Sequence, residues 1–389
     1  MINARARRRR KLLAWTTGGV AVLLLGVMLA GYAVLRHFND NLTQANVRGL
    51  LGRQPADLHP QAENILVLGS TSRLGLPGAT AADLTAAQSD TMMLVHIPAS
   101  RQWAEVMSIP RDSWVSIPSC RMGDGQMSSP AQFKIDAAFA VGYLYGNHEA
   151  LAAACSIKAI EQDTGIYVDH FIVVRFTALE NIVAELGGVE ECNPTAFTNP
   201  ASGIVLSPGR HWLNSGQALA YVRARQYIDN GSDLDRIARQ QAFIAAAVAR
   251  ARSEWLDPLS AYRFLDAVTS SLTIDSQLGG VTGLYNLEQS LRGIPSSKIA
   301  LFTLPTYPRI DVVPSDTSDV LWPQPEDSQI FASFRDDVPA SGSLFAPAVA
   351  QPAAALGRSG KFGVSPSASP GSVPVPIGAR TASQGFCVN

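Results

Sequence analysis

The 389-residue sequence lacks the short signatures of several large enzyme classes. It has no G-x-S-x-G elbow of the serine hydrolases, no H-E-x-x-H zinc helix and no Walker A loop. We also find no internal repeat. These absences exclude the usual forms of a serine hydrolase, a zinc protease and a P-loop nucleotide hydrolase.

Cysteine is scarce, and none of the four residues lies near the N-terminus: they are Cys120, Cys155, Cys192 and Cys387. Their spacings fit no zinc signature. An even number in an oxidising compartment favours two disulfides, for which three pairings are possible, whereas free buried thiols are the alternative. We predict Cys120–Cys155, which joins a loop to a following helix, and Cys192–Cys387, which would explain a cysteine at the end of the tail.

Positive charge is scarce in most of the chain. After residue 35 there are 25 basic and 32 acidic residues, which gives a net charge of −7. A general nucleic-acid-binding protein needs a basic surface, so we expect no nucleic-acid partner. The arginines concentrated near residues 223–239 stand out against this acidic background and suit a local anion.

A long apolar run is present at the N-terminus. Six basic residues precede an uncharged stretch from Leu12 to Leu35. As a helix this stretch is roughly 36 Å long, enough to cross a bilayer. A cleaved signal peptide is the alternative, but the run is long for an h-region and no clear small-x-small cleavage site follows. We expect a cytoplasmic head at 1–11, a single transmembrane helix at 12–35 and an extracytoplasmic remainder.

The remaining chain alternates strand and helix patterns. Residues 36–61 are polar, contain prolines and predict a stalk. Short apolar runs predict strands at about 65–68, 91–97, 103–109, 170–176 and 300–304. Helical periodicity predicts helices at about 135–146, 149–164, 177–187, 215–223, 234–254 and 258–272. Interleaved strands and helices predict an α/β domain whose sheet is covered by helices on both sides. Residues 339–389 are rich in Pro, Ala, Ser and Gly and predict a mostly disordered tail.

Arginine is concentrated in two neighbouring segments. The run Tyr221-Val-Arg-Ala-Arg225 lies before a helix that is predicted to begin near Ser232 or Asp233. Arginine side chains bind phosphate oxygens two at a time, and a helix start adds free N–H groups and a positive dipole end. The segment predicts a site for a multiply charged oxyanion. A solvated helix start with internal ion pairs is the alternative.

Two stripes are expected on this helix. Asp233, Arg236 and Gln240 recur at helical spacing and share one face. Ile237 and Ile244 fall on another stripe, which is predicted to face a core.

Polar side chains also border three predicted strands. They occur in Gly69-Ser-Thr-Ser-Arg73, Gln88-Ser-Asp-Thr91 and Ser108-Ile-Pro-Arg-Asp112. Open α/β sheets usually bind ligands at strand ends. Asp90 is the best candidate for a divalent-cation ligand or a base. The alternative is that Asp90 caps a turn and that Arg111 and Asp112 form a structural ion pair. His96 and His170 lie inside predicted strands and are interpreted as satisfied core or edge residues.

These pieces, in this order, resemble the LytR-CpsA-Psr family of cell-wall ligases. The matching segments are 64–73, 89–97, 108–114, 134–138, 164–170, 186–190, 221–225 and 233–241. The likeness covers about residues 62–338. It implies a mixed central sheet with flanking helices, preceded by one membrane anchor. The cysteine-bearing segments are similar to those of actinobacterial members.

The resemblance implies an extracytoplasmic phosphotransferase. Such an enzyme takes a glycopolymer from a polyprenyl-(pyro)phosphate carrier and joins it to peptidoglycan through a phosphodiester, with the lipid in an apolar tunnel between sheet and helices. By motif match the phosphate-binding residues would be Arg73, Arg111, Arg223, Arg225, Arg236 and Gln240, with Asp233 orienting the arginines. Asp90, Arg111 and Arg223 would be catalytic, and Asp90 would hold Mg²⁺ or accept the acceptor hydroxyl's proton.

Two positions depart from the family pattern. Thr71 stands where an Asp is usual, and Gln88 stands where an Arg is usual. The first change removes a carboxylate associated with Mg²⁺, and the second removes a positive charge near the phosphates. Two alternatives follow: a degenerate member that binds polyprenyl phosphates or scaffolds wall assembly, and a polyprenyl-pyrophosphate hydrolase in which water replaces the sugar hydroxyl.

Overall fold

A computed structural model describes most of the chain: residues 2–72, 87–146, 148–193, 196–200, 203–224, 233–254, 257–340 and 380–381. Its first element, helix α1, spans Ile2–Asn41. Within it, residues 15–41 are long and apolar enough to cross a membrane, with a mean hydropathy of 2.2. The apolar run predicted as the anchor therefore lies in one continuous helix.

The end of α1 packs directly on the α/β domain. Phe38 is buried, and its ring centroid lies 5.2 Å from that of Tyr262. Both His37 Nε2 and Asn41 Nδ2 lie within hydrogen-bond distance of Asp266 Oδ1, at 2.6 and 2.8 Å. These contacts join the helix to the domain without an intervening flexible segment.

Residues 36–61, whose composition predicts a stalk, are folded into the domain. They form strand β1 (Thr43–Ala45) and helix α2 (Arg48–Leu51). Val47 and Leu51 are buried in the main hydrophobic core. Single apolar side chains among polar neighbours pack this segment onto the domain. The polar average composition of the segment does not reveal their burial.

A mixed sheet of eight strands forms the centre, as the resemblance implies. Its strands, in spatial order, are β1, β12 (Leu272–Asp275), β7 (His170–Arg175), β2 (Glu63–Ser70), β3 (Ser89–Ile97), β4 (Ala104–Ile109), β13 (Ile299–Thr303) and β16 (Arg380–Thr381). Strands β2, β4, β7 and β13 run in one direction, and β3 and β12 run the other way. The carboxyl ends of four strands therefore meet at one edge.

Helices cover both faces. They are α3 (Asp136–Tyr143), α4 (Glu149–Thr164), α5 (Phe176–Glu185), α6 (Ser215–Arg223), α7 (Asp233–Glu254), α8 (Pro258–Thr269), α9 (Gly280–Arg292) and α10 (Glu326–Arg335). Four small antiparallel pairs complete the fold: β5 (Trp114–Ile117) with β6 (Ala131–Lys134), β8 (Val189–Asn193) with β11 (Gly209–Leu213), β9 (Phe197–Asn199) with β10 (Ile204–Leu206), and β14 (Tyr307–Pro308) with β15 (Val320–Leu321). The periodicity predicts α3 to α8 but not α9 and α10.

The alternation of side chains gives the sheet two unlike faces. On the first face, Leu66, Leu94 and Met107 are fully buried in a core shared with α3, α4 and α10. On the second face, Ile65 and Met93 are buried, whereas five other apolar residues are only partly buried: Val67, Val95, Val106, Ile172 and Leu301. The second face therefore presents an apolar band that the helices cover incompletely.

The predicted disulfide Cys120–Cys155 is present and joins the segment after β5 to α4. Cys192 is also disulfide-bonded. Its predicted partner, Cys387, lies outside the described residues, as does the tail from residue 341 onward except for β16.

Candidate functional site

The carboxyl ends of β2 and β4 and the start of β3 form one polar edge of the sheet. Asp90 lies in β3, and Arg111 lies two residues after β4. Arg111 Nη1 donates to Asp90 Oδ1, and the two side chains are 15% and 18% exposed. The structure thus brings a candidate base and a candidate phosphate ligand into direct contact, with both side chains partly exposed.

Helix α7 contributes the second set of polar groups. Arg236 is 2% exposed, and its Nη2 donates to the backbone carbonyl of Asp90 at 3.1 Å. Gln240 Oε1 accepts from Thr91 Oγ1 at 2.8 Å, and its Nε2 donates to the Val222 carbonyl at 3.3 Å. The predicted face of α7 therefore binds both β3 and α6 at the polar edge.

Two further residues of α7 fix its position but were not singled out by sequence reasoning. Arg239 is 2% exposed and donates through Nη2 to the carbonyl of Ala224, just after α6. Gln241 Nε2 donates to Ser108 Oγ in β4 at 2.7 Å. Their place in the same arginine- and glutamine-rich helical turn was the available signal.

The structure gives less information about the other residues that were predicted to bind phosphate. Arg223 is the exposed last residue of α6. Asp233 is the first residue of α7, but the predicted role of its side chain lies outside the described part of the chain. Arg73 and Arg225 also lie outside it.

A glycine is required where β2 meets β3 at this edge. Gly69 pairs with Thr91, and the register shifts between Gly69 and Ser70. A Cβ added at residue 69 would lie 2.9 Å from the Cβ of Thr91, closer than side-chain carbons approach. A larger residue would displace Thr91 and with it the hydrogen bond to Gln240.

A charged network extends from Arg111 away from α7. Arg111 Nε lies 3.6 Å from Asp112 Oδ2. Lys134 Nζ lies 2.8 Å from Asp112 Oδ1 and 3.0 Å from Asp319 Oδ1. Burial disfavours the Lys134 ammonium, but its hydrogen bonds to the two carboxylates outweigh this and raise its pKa. A chain of ion pairs between residues of opposite charge therefore stabilises the loop that carries Arg111.

Asp136 is a further acid of the site that sequence reasoning did not single out. It is 4% exposed, and its backbone N–H donates to the Arg111 carbonyl at 3.3 Å. Burial raises its pKa to about 6; the charges of Asp112 and Asp90 act in the same direction, and those of Arg111 and Lys134 oppose it. The segment Lys134-Ile-Asp136, which belongs to the family-like set, was the signal. Asp319 had none.

The two histidines in strands have structural partners, as predicted. His96 is fully buried, with Nδ1 at 2.8 Å from Asn64 Oδ1 and Nε2 at 3.0 Å from Asp337 Oδ1. Burial lowers its pKa, and the hydrogen bond to Asp337 opposes that effect. His170 Nδ1 lies 2.8 Å from Asp275 Oδ2. Both histidines are satisfied away from the polar edge.

The edge does not form a closed cation cage. Among the described residues, no group of three or more His, Cys, Asp or Glu side chains could hold a metal ion. Asp90 binds Arg111, and the Thr71 hydroxyl accepts from the amide of Gln88. Mg²⁺ commonly takes only one or two protein carboxylates and completes its shell with water and substrate phosphates. Asp90 meets that lesser requirement.

The chain is similar to proteins of one known family. The model of the LytR_cpsA_psr family matches residues 38–327. One relative, named a probable cell wall biosynthesis protein, LcpB, from Corynebacterium glutamicum, is 27% identical over 340 residues, which is 84% of this chain and 74% of LcpB. Another, the polyisoprenyl-teichoic acid–peptidoglycan teichoic acid transferase TagT of Bacillus subtilis, is 27% identical over 76% of this chain and 88% of its own.

Among solved structures, the LytR-Csp2A-Psr enzyme from Actinomyces oris has a similar fold. It superposes with a TM-score of 0.52 at 21% identity, over 75% of this chain and 95% of that one. The fold seen here, with its sheet flanked by helices, is therefore shared.

Proposed function

The chain belongs to the LytR_cpsA_psr family, and we propose that it is a membrane-anchored phosphotransferase. It would transfer a glycopolymer from a polyprenyl-(pyro)phosphate carrier to peptidoglycan through a phosphodiester bond. The observation that carries the proposal is the contact of Arg111 and Arg236 with Asp90 at the sheet edge. The name of the relative TagT describes a transfer between the same classes of molecule.

The second face of the sheet supports a lipid-linked donor. Its half-buried valines lead along the strands to Thr91 and Gln240 at the polar edge. Ile244 of α7, which periodicity predicts to face a core, is 42% exposed, and Val248 one turn further is 48% exposed. An isoprenoid chain beside α7 would cover such apolar surface, at about 25 cal/mol per Å².

The charges suit transfer of a phosphoryl group. Phosphoryl transfer depends mainly on positioning and on neutralising negative charge. We assign to Arg111, Arg223 and Arg236 the binding of the pyrophosphate, with Gln240 holding α7 in place. Arginine forks match phosphate oxygens and remain charged at any physiological pH.

The chemical step requires removal of one proton. The acceptor sugar hydroxyl attacks the phosphorus that carries the glycan, and the bond from that phosphorus to the lipid phosphate oxygen breaks. Asp90 would accept the hydroxyl proton, and Arg111 would stabilise the charge on the transferred phosphate. The products are a glycan–phosphate–peptidoglycan diester and a lipid monophosphate.

Mg²⁺ is a proposed cofactor. As the alternative to accepting the proton, Asp90 would hold this ion together with phosphate oxygens of the donor, and the ion would neutralise their charge. The expected location is the outer face of the cell membrane: α1 would span the bilayer, with the arginine-rich residues 5–10 in the cytoplasm.

A reconstituted transfer reaction tests the proposal. The full chain in lipid nanodiscs would receive a labelled oligosaccharide on a short polyprenyl pyrophosphate and purified peptidoglycan. We expect label to enter peptidoglycan, Asp90→Asn to abolish this and Arg111→Ala to slow it about 10²- to 10³-fold. Donor binding without transfer, under conditions in which TagT is active, would reject the transferase and favour a binding protein.

A further inference from the structure

An aromatic surface lies beside the charged network on the β5–β6 hairpin. Phe133 is 49% exposed, and its ring centroid lies 5.7 Å from that of Trp114. The guanidinium of Arg309 lies 3.9 Å over the Trp114 ring, and Arg309 forms an ion pair with Asp316. The Trp114 ring is therefore held in place by Arg309, whereas the neighbouring Phe133 ring is exposed to solvent.

A groove of about 520 Å³ lies along the same hairpin. Its polar lining comprises Ser116, Ser119, Gln132 and Gln162. Gln132 Nε2 donates to Ser116 Oγ at 2.5 Å. A hairpin that carries amide and hydroxyl groups as well as an exposed ring suits a sugar, because a sugar ring has an apolar C–H face and hydroxyls around its rim.

The hairpin begins close to the candidate site. Strand β5 begins three residues after Arg111, a distance of about 10 Å at most. Trp114 pairs directly with Lys134, whose ammonium binds Asp112 beside Arg111. A saccharide chain on the hairpin would therefore reach Asp90 and Arg111 within a few sugar units.

The hairpin and α7 lie on opposite sides of the sheet edge. Val115 and Ile117 of β5 are buried in the core on the first face. Helix α7 binds Thr91 and Ser108, whose side chains belong to the second face. In phosphoryl transfer the attacking and leaving oxygens are roughly in line. With the leaving lipid phosphate on the α7 side, the attacking hydroxyl arrives from the hairpin side.

We propose that Trp114, Phe133 and the groove along the same hairpin bind the acceptor glycan strand of peptidoglycan. The proposal rests on the proposed function and assigns its acceptor subsite to the β5–β6 hairpin. Phe133 provides the stacking surface, Trp114 supports it, and Gln132 and Gln162 bind sugar hydroxyls. The donor's lipid and pyrophosphate occupy the opposite side, so donor and acceptor use separate surfaces.

Acceptor kinetics of Phe133→Ala in the full chain test this assignment. We expect KM for soluble glycan strands of several disaccharides to rise roughly three- to tenfold, the effect of losing one stacked ring. The kcat and the KM for donor should stay within twofold, and Phe133→Tyr should restore the natural KM. Val205→Ala, at a 73% exposed position in β10, is the matched control. A single-disaccharide acceptor, too short to reach the groove, should show no difference.

A direct binding measurement separates this inference from the function. Without donor, glycan strands should quench or shift the tryptophan fluorescence of the natural chain and do so less in Phe133→Ala. Absence of transfer with binding intact would reject the transferase but support the subsite. An unchanged acceptor KM in Phe133→Ala, or a rise confined to the donor KM, would overturn the subsite.

Discussion

The Thr71 hydroxyl accepts a hydrogen bond from the backbone amide of Gln88 at 2.9 Å, and the Thr71 amide donates to the Gln88 carbonyl at 3.0 Å. These are the two positions at which the chain departs from the family pattern. The resemblance implies an Asp and an Arg at these two positions. Their joint replacement by Thr and Gln exchanges a pair of opposite charges for a neutral pair. The net charge at this corner of the site is therefore preserved.

Restoring the carboxylate alone should change the dependence on Mg²⁺. Thr71→Asp can still accept the hydrogen bond from Gln88, and it adds a charged oxygen ligand near the start of β3. We expect the Mg²⁺ concentration for half-maximal transfer to fall about tenfold, since carboxylate count tunes cation affinity. Transfer rates across a magnesium titration measure this. Thr71→Asn, which keeps the size without the charge, should behave like the natural chain; an equal response of Asp and Asn would contradict the prediction.

Removing Arg111 should affect chemistry more than folding. Arg111→Ala leaves Asp90 without its side-chain partner and removes a charge from the transferred phosphate. We expect kcat to fall about 10²- to 10³-fold, the usual effect of losing one such donor. Steady-state kinetics and a thermal unfolding curve measure the two effects. Arg121→Ala, at an exposed position ten residues away, is the control, and comparable losses in both variants would refute the assigned role.

Breaking the Cys120–Cys155 disulfide should destabilise the outer domain. The two residues are separated by 35 positions, and the loop-entropy relation gives about 4 kcal/mol for such a link. Denaturant unfolding of Cys120→Ala/Cys155→Ala in detergent should show a loss of that order. An oxidised natural chain no more stable than the double variant would argue against a stabilising link.

Glu105 should make stability depend on pH. It is fully buried beside the Ala340 amide, which donates to its Oε1 at 3.0 Å. Burial raises its pKa from 4.5 to about 7, and the hydrogen bond opposes this. The folded chain therefore binds the proton more tightly than the unfolded chain. This contribution, up to about 3 kcal/mol, is complete below pH 4.5 and is lost as pH rises to about 7.

The Glu105→Gln variant isolates that contribution. Other buried acids with raised pKa values, such as Asp327 and Glu191, titrate in both proteins and cancel in the comparison. We expect the free energy of unfolding to decline less between pH 5 and pH 8 in Glu105→Gln than in the natural chain. Glu190→Gln, at an exposed position, is the control. Parallel pH curves for all three proteins would show that Glu105 does not titrate in this range.

Sequence reasoning predicted the elements whose signal is local. The strands ending at Ser70 and Ile109 and the helix from Asp233 follow from apolar runs and periodicity. It did not predict β1 and α2, because Val47 and Leu51 are isolated in a polar segment and gain their role only through burial against α4. Helix α9, flanked by glycines, also gave no clear start signal.

The same contrast between local sequence signals and tertiary contacts applies to the candidate site. The sequence alone indicates four of the candidate residues, because they lie in strand-end and helix-start segments: Asp90, Arg111, Arg236 and Gln240. It does not indicate Asp319 and Trp114, since their roles depend on contacts with Lys134 and Arg309 from distant parts of the chain. Such contacts depend on tertiary packing and produce no periodic pattern in the sequence.

The central claim is tested most directly by counting both products of one reaction. Lipid monophosphate release and glycan incorporation into peptidoglycan would be quantified together, with and without acceptor, for the natural chain and Asp90→Asn. The account predicts equal amounts of both products with acceptor, little release without it, and neither product in the variant. Lipid phosphate released at the same rate without acceptor, and no glycan in peptidoglycan, would contradict the transferase and identify a hydrolase.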